Sequence, residues 1–251
     1  NNLGEIISII KIEKITAFYD NQKLMNFFNS KGEVFNIPFN FNFLYQNNST
    51  EYEEIDFKSK SLKLNFFNKS IKKNNIIHGE NSISFLNSII NTKYNLKEKL
   101  ITFKSDGSKI HNSHVSYTGE LTINPFDLNL NINLDNHKIS KLFNINLILI
   151  EFIKSGLLFN DNISVKNSII ISSKEKNDFF QTVKINFNIV NGEVNFDKTI
   201  FVNNNIGLLE LNNSNLFLEN ESLILNTDIF FNVKNSDNLF SFLNTNKKSR
   251  K

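Results

Sequence analysis

Apolar and polar residues alternate most cleanly over residues 127–135. Leu128, Leu130, Ile132 and Leu134 interleave there with Asn129, Asn131, Asn133 and Asp135. A period of two places one set on each face of a sheet. The period then changes. Leu142, Ile145, Leu149, Phe152 and Ile153 recur at spacings of three and four, which predicts an amphipathic helix over residues 140–155, stopped by Gly156. Upstream, the Ile-rich residues 5–19 read as one or two strands. Residues 24–28 read as a helical turn and 44–54 as a turn region. Phe35, Ile37, Phe39, Phe41 and Phe43 alternate with Asn36, Pro38, Asn40 and Asn42. This predicts a strand in which Pro38, with no N–H to donate, marks an edge or a bulge. Further strands are expected at 61–67, 81–85, 99–103 and 115–123. After the helix, short strands are expected at 163–172, 183–190, 193–202, 207–211, 215–218, 222–225 and 228–233. Asn191-Gly192 is the strongest hairpin signal among them. A last helix is expected at about residues 237–243.

Roughly a dozen strands against two or three helices leaves too few helices to cover the sheet, so it must close, stack on another sheet or expose an apolar surface. The expected fold is mainly β: a long curved antiparallel sheet forming an open, taco-like groove, with one internal helix and a short C-terminal helix. The alternating apolar sets supply the candidate groove lining: Phe39, Phe41, Leu128, Leu130, Ile132, Leu134, Ile185, Phe187, Ile189, Leu216, Leu218, Leu223, Leu225, Ile229, Phe231 and Val233. A bulge would invert the face chosen for any strand. No Pro/Gly/Ser linker divides the chain, which is read as a single region over residues 1–251 with a possible subdivision near 140–156.

Composition changes this picture little. Roughly a fifth of the chain is Asn, a bias often linked to disorder. Here the Asn residues alternate with apolar ones, and 26 Phe are too many for a solvated coil. A net charge of +3 lacks the basic excess of a nucleic-acid binder. With no cysteine there is neither a disulfide framework nor a thiolate metal site. The chain begins at Asn1, so it is read as a piece of a longer protein whose leader or anchor would lie upstream.

Candidate chemistry is sparse. His111 and His114 would point to opposite faces of one strand, which argues against a metal pair. Nothing marks Asp127 and Asp135 as an acid/base pair, and Ser108, Ser113 and Ser116 form no nucleophile elbow. Asn48-Ser49-Thr50 matches a glycosylation acceptor, a chance match at this Asn content. The basic tail Lys247, Lys248, Arg250 and Lys251 is either a solvated terminus or a contact for anionic headgroups. No cofactor and no enzymatic activity are expected.

Several short segments resemble AsmA-like proteins of Gram-negative bacteria. The run from Lys31 to Phe39, with Gly32, Glu33, Phe35, Asn36, Ile37 and Pro38, is similar to their G-E-hydrophobic-F-N-I-P-F strand. Tyr117, Gly119, Pro125, Phe126 and Leu128 are similar to their Y-x-G…P-F-x-L strand pair. Leu142, Phe143, Gly156, Leu157 and Leu158 resemble the next block, and Gly192, Glu193 and Gly207 with the tail from Asn244 to Lys251 resemble the last. Asn246 stands where the family often has Pro. The resemblance spans about residues 5–251. It implies an inner-membrane-anchored periplasmic protein whose β-groove carries phospholipid acyl chains in outer-membrane biogenesis, held by an upstream helix and meeting an outer-membrane or envelope protein partner. Such a groove has a physical purpose. Exposing two acyl chains of ~15 methylenes to water costs on the order of 20 kcal/mol at about 0.8 kcal/mol per methylene. The alternative is a structural or interaction scaffold with a closed β core and no ligand. A hydrolase of envelope polymers would need a carboxylate or nucleophile constellation.

Overall fold

A computed structural model describes residues 10–47, 51–111, 113–139, 158–175, 178–219 and 222–245. They form seventeen strands and one short helix near the C-terminus, a mainly-β protein. The chain divides into two compact units, Asn1–His111 and Asn112–Lys251.

The first unit is an up-and-down meander. Its strands are β1 (Ile10–Asp20), β2 (Met25–Val34), β3 (Ile37–Asn47), β4 (Glu51–Ser59), β5 (Leu64–Lys73), β6 (Ile76–Phe85), β7 (Ser88–Lys97), β8 (Leu100–Ser105) and β9 (Ser108–Ile110). From β1 to β8 each strand pairs antiparallel with the next, and β9 returns to β7. Several expectations are corrected here. Residues 25–28 open β2 rather than a helical turn, because Phe27 and Phe28 each pair across to β1 and β3. Residues 44–47 and 51–54 are strand. The mixed sequence EYEEIDFKS of β4 hides its alternation, since both faces carry acids. Phe35 is not a strand residue: Phe35 and Asn36, at φ 49° and 61°, are the two central residues of the β2–β3 hairpin. That backbone twist suits a tight hairpin between right-twisted strands. Pro38 lies in a strand flanked on both sides, not at an edge. It is tolerated because pairing with β4 begins only at Asn40, while Ser59 Oγ donates to the Pro38 carbonyl at 2.8 Å.

The second unit contains β10 (Ser113–Thr122), β11 (Phe126–Asp135), β12 (Ile163–Ser172), β13 (Thr182–Val190), β14 (Glu193–Asn195), β15 (Thr199–Asn203), β16 (Gly207–Glu219) and β17 (Ser222–Val233), then α1 (Ser236–Phe242). The sheet is not wholly antiparallel as expected: β11 and β12 run parallel, from Phe126↔Ile163 to Leu134↔Ile171. A parallel pair needs a long crossover, and residues 136–162 supply it. The helix expected at 140–155 lies outside the described residues. The other neighbours pair antiparallel. The two strands expected at 207–211 and 215–218 are one strand, β16, with a bulge between Asn212 and Asn215. Those expected at 222–225 and 228–233 are likewise one strand. The expected 193–202 strand is broken at 196–198 into β14 and β15.

Break and bulge sit side by side and are pinned together. Asp197 Oδ1 accepts from Ser214 N at 2.6 Å and Ser214 Oγ at 2.9 Å. Ser214 Oγ accepts from Phe196 N at 2.7 Å. Each irregularity shifts its strand by one residue, so the apolar residues stay on one face across the kink. Helix α1 is capped by Asn235, whose side chain accepts from Asn238 N, and its Phe242 packs on Phe179 at 4.2 Å between ring centroids.

Candidate functional site

Register decides which predicted residues share a face. In the second unit the apolar rows run continuously. Val115, Tyr117 and Leu121 of β10 face the same way as Leu134, Ile132 and Leu128 of β11. Leu128, Ile132 and Leu134 align with Val165, Ile169 and Ile171 of β12. These align with Ile189, Ile185 and Val183 of β13. Val194 carries the face to Leu216, and Phe201 carries it to Leu209. Leu216 and Leu218 pair with Leu225 and Leu223, and Leu211, Leu209 and Gly207 pair with Ile229, Phe231 and Val233. All the candidate lining residues of this unit therefore fall on one face, including those beyond the bulge.

That face is not uniformly open. Ile171, Val183, Ile189 and Val194 are 0% exposed. One packed cluster forms around Val165, Ile189, Val194 and Leu216, with Leu158, Phe159 and Phe196 laid against it. A second surrounds Ile139, Ile171 and Val183, with Phe180 and Phe201. The buried Asp178 carboxylate ties the loop beside it, accepting from Ile139 N at 3.0 Å and Ser173 Oγ at 2.5 Å. The margin along β17 differs: Leu225, Ile229, Phe231 and Val233 are 39–62% exposed. Between the clusters Asn167 shares the face with Leu130 and Phe187, and its Oδ1 is buried without a partner.

The first unit reverses this arrangement. Phe39 and Phe41 face the same way as Phe28, Phe57, Phe66, Ile83 and Ile90. Phe39 stacks on Phe57 at 5.7 Å, and Phe41 meets Phe28 edge-on at 6.1 Å. Yet among the described residues every fully buried hydrophobic side chain lies in the second unit. The buried side chains of the first are polar: Ser30, Ser59, Asn68, Ser70 and Ser108. Its aromatic row stays half-buried. One residue row further along, the same face turns polar, with Asn68, Asn81, Thr92 and Ser105 in register across β5 to β8. Tyr94 lies over Gly79, where any Cβ would clash with its ring, and its hydroxyl donates to Asn68 Oδ1 at 2.9 Å. Asn81 Oδ1 is buried without a partner. At the far end of the face Lys72 pairs with Glu51 at 2.9 Å, which holds the Glu51 carboxyl below its ordinary range and the Lys72 ammonium above its own. Sequence reasoning misses the polar row because Asn is so common in this chain that no single one stands out.

The weaker chemical candidates are not brought together. Asp127 and Asp135 lie eight residues apart on one strand, a separation of roughly 27 Å. Paired catalytic carboxylates sit within about 5–9.5 Å. His111 occupies a turn at φ 53°, and His114 is exposed on β10. Among the described residues no group of three His, Cys, Asp or Glu side chains is placed to hold a metal, and no helix is long and apolar enough to cross a membrane. Asn48 to Thr50 and the basic tail from Asn246 lie outside the described residues. Comparison with known protein families, with characterised proteins and with solved structures finds no match to this chain.

Proposed function

We propose that the chain is a non-enzymatic structural or interaction scaffold built on a closed β core. One observation carries this reading: two packed clusters seal the continuous apolar face of the second unit at both ends of its middle strands, with Ile171 and Val183 in one and Ile189 and Val194 in the other at 0% exposure. A surface meant to pass acyl chains would stay open from one end to the other. Sealed residues of this kind stabilise the fold and leave binding to the polar outer faces and strand margins.

A second reading is favoured by the first unit, whose aromatic row is half-buried while its buried side chains are polar. In it the chain is a segment of a periplasmic bridge or shuttle for phospholipid, in an open, taco-like groove. It would be anchored in the inner membrane through an upstream helix and would hand lipid to an envelope partner during outer-membrane biogenesis. The resemblance to AsmA-like proteins supports this reading, and so does the need of acyl chains for a continuous apolar path.

Native mass spectrometry of the full chain, purified without detergent exchange, separates the two. The scaffold predicts a ligand-free mass. Bound phospholipid, lost in a folded Phe41→Asp/Phe66→Asp variant and kept in a folded Ile229→Asp/Phe231→Asp variant, would replace the scaffold with lipid carriage by the first unit.

A further inference from the structure

On one face of the first unit a polar row lies beside the aromatic row. Phe41, Phe57, Phe66, Ile83 and Ile90 stand in register across β3 to β7. Four interstrand steps make this row roughly 19 Å long, room for one extended acyl chain lying across the strands. The next rows on the same face hold Asn68, Asn81 and Thr92, then Ser70 and Tyr94. Their groups are hydroxyls and amides, and the Glu53 carboxylate stands in register with Ser70 at the margin of the second row. The Tyr94 hydroxyl already serves Asn68 Oδ1, at 2.9 Å. Asn81 Oδ1 is left buried with no donor, a costly state for a carbonyl oxygen.

We propose that this face holds a single amphiphile, its acyl chain on the Phe41–Ile90 row and a hydrogen-bond-donating headgroup on the amide oxygen of Asn81. This rests on the lipid-carrying reading and adds the headgroup chemistry to it. The headgroup must offer a hydroxyl or ammonium N–H beside the chain. An anionic headgroup with acceptors alone gains nothing at Asn81, and Lys72 on the same strand face is already engaged by Glu51.

The test uses the full chain and two probes that share an acyl chain: monopalmitoylglycerol, which carries donors, and methyl palmitate, which carries none. Binding is read by displacement of cis-parinaric acid, with thermal melts as controls for folding. The wild type is expected to bind monopalmitoylglycerol roughly 5- to 10-fold tighter than methyl palmitate, the worth of one net hydrogen bond. Asn81→Leu should bring that ratio near one without changing the affinity for methyl palmitate. Should Asn81→Leu fail to fold, Asn81→Val makes the same deletion with a strand-favouring side chain. Phe66→Ser should weaken both probes. Equal binding of the probes by the wild type, or a ratio that survives Asn81→Leu, overturns the headgroup assignment alone. No binding of either probe overturns the lipid-carrying reading with it.

Discussion

At the scale of single residues, Tyr52 shows how a half-buried side chain makes stability depend on pH. Burial, then the 2.6 Å hydrogen bond to Glu54 Oε2 and the charge behind it, push the Tyr52 phenol up to about 12 from its ordinary value of 10.0. A phenol whose folded pKa is raised stabilises the fold while it stays protonated. The contribution is complete below pH 10 and is lost as pH climbs from 10 to about 12. Urea midpoints measured across that window should fall for the wild type, and part of that fall should vanish in Tyr52→Phe. Identical slopes in the two proteins would mean that Tyr52 titrates like a free tyrosine. Asp197 tests a different kind of residue. It accepts both the backbone N–H and the hydroxyl of the buried Ser214 at the kink. Asp197→Ala should cost about 1–3 kcal/mol by leaving those donors without a partner. A loss below ~0.5 kcal/mol, read from urea melts, would show that water replaces the carboxylate.

At the scale of elements, the hairpins explain which strands are legible in the sequence. Asn191-Gly192, at φ 52° and 72°, is readable because those residue types favour that backbone. The Phe35-Asn36 turn has the same sign of φ but starts with a bulky aromatic, so its alternation with Phe39 and Phe41 points to a longer strand than the one that forms. Left-handed backbone costs an ordinary residue about 1–2 kcal/mol, and Asn less. The Phe35 side chain is 64% exposed and gains little from packing. Phe35→Asn should therefore raise stability by about 1 kcal/mol. An unchanged or lowered urea midpoint would mean that the ring holds the hairpin in a way its exposure does not reveal. Clean alternation identifies β11, β12 and β13 almost to the residue. β4 and β7 give no such signal, because their apolar residues, such as Ile55 and Ile90, are interleaved with acids, Asn, Thr and Lys. The parallel pairing of β11 with β12 is illegible for a different reason: strand patterning reports which face a residue takes and is silent on the direction of its neighbour.

At the scale of the whole molecule, the same apolar patterning leads to two physical outcomes, and periodicity alone does not distinguish them. The alternation of Leu128 to Leu134 and that of Ile37, Phe39 and Phe41 read alike as one-sided strands, yet only the second unit contains fully buried hydrophobic side chains among the described residues. What separates them is the company each row keeps. Leu158, Phe159 and Phe196 pack against the second unit's face, whereas Ser30, Asn68 and Ser70 take the buried places in the first. Mutational cost should follow that division. Ile189→Ala empties a fully enclosed site and should cost about 2–5 kcal/mol. Phe57→Ala removes a larger side chain, but one that is half-buried and stacked on Phe39, so its cost should stay near ~1–2 kcal/mol. Both are measured by urea denaturation of the full chain. If the larger deletion proves the cheaper one, the aromatic row is a surface that folding does not need in full, available to a partner or a ligand. If Phe57→Ala costs as much as Ile189→Ala, that row is ordinary core, and both the amphiphile assignment and the lipid-carrying reading lose the open face on which they stand.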